Sequence, residues 1–247
     1  MFVWIGFYEI PPAVAKNVAQ CCWDLGARHF DTAQAYGNEA ELGQWVKESG
    51  IDRRQLFITT KLRNSNQPVE KALPSIRHSL ELLQTEYVDC LLLHWPVPET
   101  RADAWRVLER VLDEGLARSI GVSNYQERHL TELLEHCAVK PAINQIELSP
   151  FTYTREVVRA CNENHIAVEA YSPLTRGLLL GDPTLVAVAQ HYQRTPAQIC
   201  LRWCLQKGFI ALPRSKSPDH IRENLDVFTF QISPQDMATL DGLHRSL

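Results

Sequence analysis

Residues 56–94, LFITTKLRNSNQPVEKALPSIRHSLELLQTEYVDCLLLH, decide the fold class. The stretch opens on a short β-rich run, Leu56 to Lys61, and closes on a second, Val88 to His94. Between them Leu73, Ile76, Leu80 and Leu83 fall at i, i+3, i+7 and i+10, one apolar face of a helix. Strand, helix, strand at a step of about 30 residues is one βα unit. Strands joined in this way run parallel, with right-handed crossovers.

The same pattern continues in both directions. Phe2 to Tyr8 and Arg28 to Asp31 precede the stretch; Ser119 to Ser123, Ala142 to Gln145, Ala167 to Tyr171 and Phe209 to Pro213 follow it, making eight β-rich runs. Val14, Val18, Cys21, Cys22 and Leu25 form one more helical stripe, and Trp105, Leu108, Leu112 and Leu116 another. Pro196 to Leu201 restart a helix after Tyr192, so an extra helix is expected before the eighth strand. Eight units in 247 residues predict a closed (β/α)8 TIM barrel of parallel strands, with residues 1–247 as a single domain, because no Ser/Gly-rich linker divides the chain. A doubly wound open sheet is the alternative. It usually carries a glycine-rich phosphate turn after its first strand, whereas here that strand leads into Glu9-Ile10-Pro11-Pro12 and no GxGxxG occurs.

Composition narrows the function. At 45% hydrophobic and 22% charged residues the chain is not disordered, and 11 glycines and 14 prolines exclude collagen-like repeats. No apolar run approaches the roughly 20 residues of a membrane span. Met1-Phe2-Val3-Trp4 lacks the basic start of a signal peptide. A net charge of −4, from 25 basic and 29 acidic side chains, argues against nucleic acid as a partner, so any anion must meet a local basic cluster. The seven cysteines form no CxxC pair and sit among apolar residues, as expected of reduced core thiols in a cytoplasmic protein. The nine histidines show neither HxxxH nor HxH spacing, so no metal site is expected.

Polar residues collect at the strand ends: Tyr8, Asp31, Lys61, His94, Ser123-Asn124, Gln145, Tyr171-Ser172 and Pro213-Arg214-Ser215. In a barrel these C-terminal ends share one mouth, where active sites are built. Lys61, near the barrel interior, needs a partner, and Asp31 is the natural one. Tyr36 follows on the loop after Asp31 and is able to lean back over the mouth. An ammonium beside its phenol favours the phenolate and is expected to lower its pKa, so Asp31, Tyr36 and Lys61 read as a tuned proton donor. His94 would donate a hydrogen bond to a substrate oxygen. Alone, each of these residues reads as packing or a structural ion pair; together at successive strand ends they read as a site.

Several motifs carry a family resemblance. They are Asp31-Thr32-Ala33 with Tyr36-Gly37-Asn38-Glu39, Thr60-Lys61, Leu91-Leu92-Leu93-His94-Trp95-Pro96, Ile120-Gly121-Val122-Ser123-Asn124, Asn144-Gln145-Ile146-Glu147, Tyr171-Ser172-Pro173-Leu174 and Ile221-Arg222-Glu223-Asn224-Leu225. In this order, over nearly the whole chain, the sequence resembles the aldo-keto reductase superfamily. Asp31-Thr32-Ala33-Gln34, Glu48-Ser49-Gly50 and Gln145 to Pro150 are most similar to small bacterial members of the 2,5-diketogluconate and methylglyoxal reductase type.

The resemblance implies an NADPH-dependent reductase of aldehydes and ketones, acting on small dicarbonyls or keto-sugars, with NADH left open as a second coenzyme. Tyr36 would be the general acid, Lys61 and Asp31 would tune it, and His94 would orient the carbonyl oxygen. Tyr171 would stack on the nicotinamide, and Ser123, Asn124 and Gln145 would bond its carboxamide. Ser172 and Leu174 would lie under the pyrophosphate. Arg214 and Ser215 would meet the 2′-phosphate, and His220, Glu223 and Asn224 would stand on the adenine side. Arg214 replaces the family's usual lysine and His220 its usual arginine, which implies an NADPH preference that is weakened or pH-dependent. Tyr8 and Trp95, with Tyr125, would wall the substrate site. Phe7 stands where the family has a small polar residue and would crowd the ribose. The first strand lies near the start of the sequence and His244-Arg245-Ser246-Leu247 end it, so the barrel is expected to be trimmed at both ends, monomeric and open-mouthed. Two other readings compete: a nucleotide-binding regulatory subunit with little turnover, and a Schiff-base aldolase using Lys61, ranked last because Asp31 favours a charged lysine.

Overall fold

In the computed structural model, which describes residues 3–244, eight parallel strands lie side by side in sequence order. They are β1 (Ile5–Gly6), β2 (His29–Asp31), β3 (Phe57–Leu62), β4 (Cys90–Leu93), β5 (Ile120–Ser123), β6 (Ile143–Glu147), β7 (Ala167–Tyr171) and β8 (Ile210–Leu212). Trp4 N donates to the Ala211 carbonyl at 2.9 Å and Gly6 N to the Pro213 carbonyl at 3.0 Å, which joins the first strand to the last and closes the expected (β/α)8 barrel. Phe2, at the start of the expected first strand, and Arg245, Ser246 and Leu247 lie outside the described residues. Within that expected run only Ile5 and Gly6 form the strand, with Val3 adding a single bridge to Ala211.

The helices follow their stripes. α1 (Pro12–Asp24) starts on proline and buries Ala15, Val18, Ala19 and Cys22. α2 (Glu39–Ser49) and α3 (Val69–Leu83) pack so closely that a Cβ on Gly43 would stand 2.2 Å from the Leu82 carbonyl oxygen. α4 (Arg101–Asp113), α5 (Glu127–His136) and α6 (Arg155–Glu163) continue the ring. α7 (Pro183–His191) and α8 (Pro196–Gln206) both precede β8, so the extra helix stands where the restart predicts it. α8 is opened by a reciprocal cap between Thr195 and Gln198. α9 (Pro218–Leu225) follows β8. α10 (Pro234–Asp241) gave no sequence signal, because only Leu240 of it is buried.

One apolar layer lies between strands and helices, with Phe7, Phe30, Trp45, Trp105 and Trp203 among its large buried side chains. Inside the barrel, Cys90, Leu92 and Ile143 pack with Trp4, Phe57 and Ile210 toward the N-terminal ends of the strands. The interior is tight: a Cβ on Gly121 would come within 2.7 Å of the Ile143 carbonyl oxygen and 2.8 Å of Leu92. Toward the C-terminal ends the interior turns polar, with Asp31, Lys61, Gln145 and Glu169 all buried. That change is what creates a site at the mouth. Among the described residues no helix is long and apolar enough to cross a membrane, and no cluster of side chains suits a metal ion.

Candidate active site

The ends of β2 and β3 bring Asp31 and Lys61 into contact. The Lys61 ammonium, 0% exposed, donates to Asp31 Oδ1 at 2.5 Å and to the Thr32 carbonyl at 3.0 Å. A 3-10 turn, Gln34–Tyr36, carries Tyr36 back over this pair and ends on Gly37 at φ +67°, the left-handed region that favours glycine. Asn38 anchors the turn. It accepts from Thr32 Oγ1 at 2.6 Å and donates to the Phe7 and Ile10 carbonyls at 2.9 and 3.0 Å. Lys61 Nζ then lies 4.9 Å from the centre of the Tyr36 ring. The His94 and Tyr8 rings meet Tyr36 edge-on, at 5.6 and 5.2 Å between centroids.

The electrostatics differ from expectation at one point. Burial pushes the Tyr36 phenol up, and this outweighs the downward pull of Lys61, so the phenol sits above rather than below its ordinary value. Tyr36 is therefore held in its protonated form. Burial works against the charge on Lys61, but the Asp31 carboxylate, by charge and by hydrogen bond, leads the opposing pull and the ammonium is strengthened. A Schiff-base lysine needs a free amine, so the aldolase reading loses its chemical basis. Burial, helped by Lys61, pushes the His94 imidazole down to about 3, which keeps it neutral and able to donate one hydrogen bond.

Glu169, in the middle of β7, had drawn no attention in the sequence. It is 0% exposed, and Gln145 Nε2 donates both to Glu169 Oε2 at 2.8 Å and to Asp31 Oδ2 at 2.9 Å. Its signal was a lone acid in Ala167-Val168-Glu169-Ala170-Tyr171, on the interior side of an alternating strand. Burial, then Asp31, push its carboxyl well above the usual carboxylate range.

Above these groups opens a cavity of about 750 Å³. Tyr8, Tyr36, His94, Trp95, Ser123, Asn124, Gln145 and Tyr171 line one part, and Ser172, Leu174, Arg214, Ser215 and His220 line another. The Tyr171 hydroxyl donates to Asn124 Oδ1 at 2.8 Å, which steadies its ring beside the cavity. Asn124 Nδ2 donates to the His94 carbonyl at 3.0 Å, and Ser123 Oγ donates to the Gln145 carbonyl at 2.9 Å. Both Gln145 amide hydrogens are committed below, so it has only its oxygen to offer into the cavity. Lys216 and Ser217, in the segment that the sequence places at the adenine end, also line the wall, and so does Arg176, which had drawn no attention in the sequence. Glu9, Asn124, Ser172, Thr175 and Arg176 take left-handed φ values of 55°, 64°, 49°, 50° and 53°, strain gathered on the loops that carry the site.

Four expected residues stand elsewhere. Phe7 is 0% exposed and packs against Phe30 on the helix side, so Gly6 rather than Phe7 faces the cavity and no ribose would be crowded. Tyr125 is buried against His129 and is not a wall of the mouth, whereas Tyr8 and Trp95 are 45% and 47% exposed there. Glu223 and Asn224 do not line the cavity. The Glu223 carboxylate accepts from the Thr195 hydroxyl that caps α8, and Asn224 is buried in α9.

Comparison with known proteins gives a consistent picture. Residues 6–245 match the model of the Aldo/keto reductase family. The glyoxal reductase of Bacillus subtilis is 42% identical over 220 residues, which cover 89% of this chain and 80% of that protein. An aldo/keto reductase from Brucella melitensis superposes with a TM-score of 0.94 at 39% identity, covering 98% of this chain and 94% of the other. The Bombyx mori aldo-keto reductase, solved in complex with NADP, superposes at 0.91 with 31% identity, covering 98% and 89%.

Proposed function

The chain belongs to the aldo/keto reductase family, and from that premise we propose that it reduces small aldehydes and ketones with NADPH, using Tyr36 as the general acid. One observation carries the reading: a protonated phenol at the cavity floor has a buried ammonium on one side and a neutral imidazole on the other. The relation to a glyoxal reductase supports small dicarbonyls as the substrate class, with keto-sugars as a wider range.

The residues present fit a nicotinamide dinucleotide phosphate. Tyr171 offers an aromatic face at the end near Tyr36, and Asn124 and Gln145 offer polar atoms beside it. At the other end Arg214, Lys216 and the N-terminus of α9, which starts at Pro218, favour phosphate. Ser172 and Leu174 form the wall between. When bound, the coenzyme supplies hydride to the carbonyl carbon.

The chain's own residues manage the proton. Tyr36 donates it to the carbonyl oxygen, and His94 holds that oxygen in line through its N–H. The phenolate left on Tyr36 is stabilised by the Lys61 ammonium, which Asp31 keeps charged and in place. Tyr8 and Trp95 offer aromatic walls at the mouth for the apolar part of the substrate.

The test is to mix the protein with NADPH and methylglyoxal and to follow loss of nicotinamide absorbance. Steady turnover, lower with NADH, is the expected result. Tight NADPH binding without turnover of any small carbonyl would overturn the reading in favour of a regulatory subunit.

A further inference from the structure

A chain of hydrogen bonds crosses the barrel interior from β7 to β3. It runs from Glu169 Oε2 through Gln145 Nε2 to Asp31 Oδ2, and from Asp31 Oδ1 to Lys61 Nζ. Its last two members belong to the acid–base group, and Gln145 faces the cavity. Glu169 touches neither the cavity nor Tyr36 through any hydrogen bond, and its second oxygen, Oε1, is buried without a hydrogen-bond partner among the described residues. A structural carboxylate in a core is ordinarily satisfied on both oxygens or replaced by an apolar residue. This one is spent on a single amide.

Holding that amide has a directional consequence. A glutamine amide has two hydrogens on one side and one oxygen on the other. With one hydrogen on Asp31 and one on Glu169, the amide is held at both, and turning it over would set its oxygen against the Asp31 carboxylate. Its oxygen is left facing away from both, toward the cavity that Gln145 lines.

We propose that Glu169 is a positioning residue that acts as a neutral acceptor, locking the Gln145 amide so that its oxygen receives the carboxamide N–H of the bound nicotinamide. The inference rests on NADPH being the coenzyme. Neutrality follows from the surroundings. Asp31 faces Glu169 from β2, Lys61 from β3 and Cys90 from β4, and a single ammonium among them is already paired with Asp31. An acceptor carbonyl is all that the geometry requires of Glu169, so Glu169→Gln preserves the lock while Glu169→Leu, an apolar residue of similar size, removes it.

The experiment measures binding of two coenzymes to the full chain by protein fluorescence: NADPH, and its reduced 3-acetylpyridine analogue, in which an acetyl group without N–H replaces the carboxamide. Glu169→Leu is expected to weaken NADPH about tenfold, the scale of one lost oriented hydrogen bond, and to leave the analogue within about twofold. Glu169→Gln is expected to stay near the unsubstituted protein for both, and Gln145→Leu to mimic Glu169→Leu. The proposal is overturned if Glu169→Leu leaves NADPH binding unchanged, if it weakens both coenzymes equally, or if Glu169→Gln loses as much NADPH affinity as Glu169→Leu. If Glu169→Leu does not fold, a tenfold loss of NADPH affinity in Glu169→Gln, or an equal loss of both coenzymes in Gln145→Leu, overturns the proposal instead. Failure of the unsubstituted protein to bind NADPH would instead defeat the assignment of the coenzyme, before Glu169 is tested.

Discussion

Arg214 Nη2 donates to Glu9 Oε2 at 2.8 Å, joining the loop after the first strand to the end of the last across 205 residues of sequence. The two meet where the first and last strands adjoin, with Arg214 on the cavity wall that also holds Ser215 and Lys216. A 2′-phosphate approaching Arg214 must compete with this carboxylate, whereas a 2′-hydroxyl meets an acceptor in it. Glu9→Gln is therefore expected to raise the kcat/KM ratio for NADPH over NADH by about threefold or more, a modest gain because both side chains are partly solvated. An unchanged or lower ratio in steady-state assays would show that Arg214 does not meet the 2′-phosphate.

Tyr36→Phe removes one oxygen from a site whose other groups are held independently. Lys61 keeps Asp31 and Thr32, and His94 is tied through its carbonyl to Asn124. Turnover of methylglyoxal is expected to fall by about 10²- to 10⁴-fold, the usual worth of a positioned acid, while NADPH affinity is kept. Because Lys61 is held as an ammonium, borohydride with a dicarbonyl should leave no adduct on it. Full activity in the phenylalanine variant would remove Tyr36 from its role.

Most of this site was legible in the sequence for a geometric reason. Parallel strands of a barrel all end on one face, so a polar residue closing each β-rich run predicts a shared mouth without knowledge of contacts. Asp31, Lys61, His94 and Tyr171 were visible in this way. Glu169 was not, because it lies inside a strand, where only the closed barrel decides which of two faces is interior. Phe7 misled for the same reason: alternation about Gly6 sends it outward to Phe30. The left-handed loops at Ser172 and Arg176 carry no glycine signal, and the Glu9–Arg214 pair joins the two ends of the barrel. Neither is a local property of the chain.

The pH dependence follows from the directions of the three shifts. His94 is pushed down to about 3, so it is neutral throughout the neutral range and loses its role only in strong acid. Lys61 and Tyr36 are both pushed up, so both hold their protons well past neutrality. The reduction rate at saturating coenzyme is expected to be level between about pH 5 and 9 and to fall on the alkaline side as Tyr36 loses its proton. Alcohol oxidation, which needs the phenolate, should rise over that same alkaline range. An inflection near 6.5 in the reduction profile that disappears in His94→Asn would contradict a neutral His94.

Stability and activity separate at the Asp31–Lys61 pair. Both side chains are essentially unexposed, so removing one partner strands the other in a medium that solvates charge poorly. Asp31→Asn is expected to lower stability by about 3–5 kcal/mol, a fall of roughly 6–20 °C in Tm for a chain of this size. Lys61→Met alone leaves Asp31 without its cation and should also destabilise, although the Gln145 N–H still reaches the carboxylate. In the double variant, Asp31→Asn with Lys61→Met, no buried charge remains in the pair. Most of the lost stability should return, because a buried ion pair gains little over uncharged groups of similar volume. Turnover should not return, since the phenolate formed on Tyr36 then has no cation beside it. Thermal melts and methylglyoxal turnover on the three variants separate the two effects. If Asp31→Asn melts with the unsubstituted protein, Lys61 is not the buried ammonium on which the acid–base group depends.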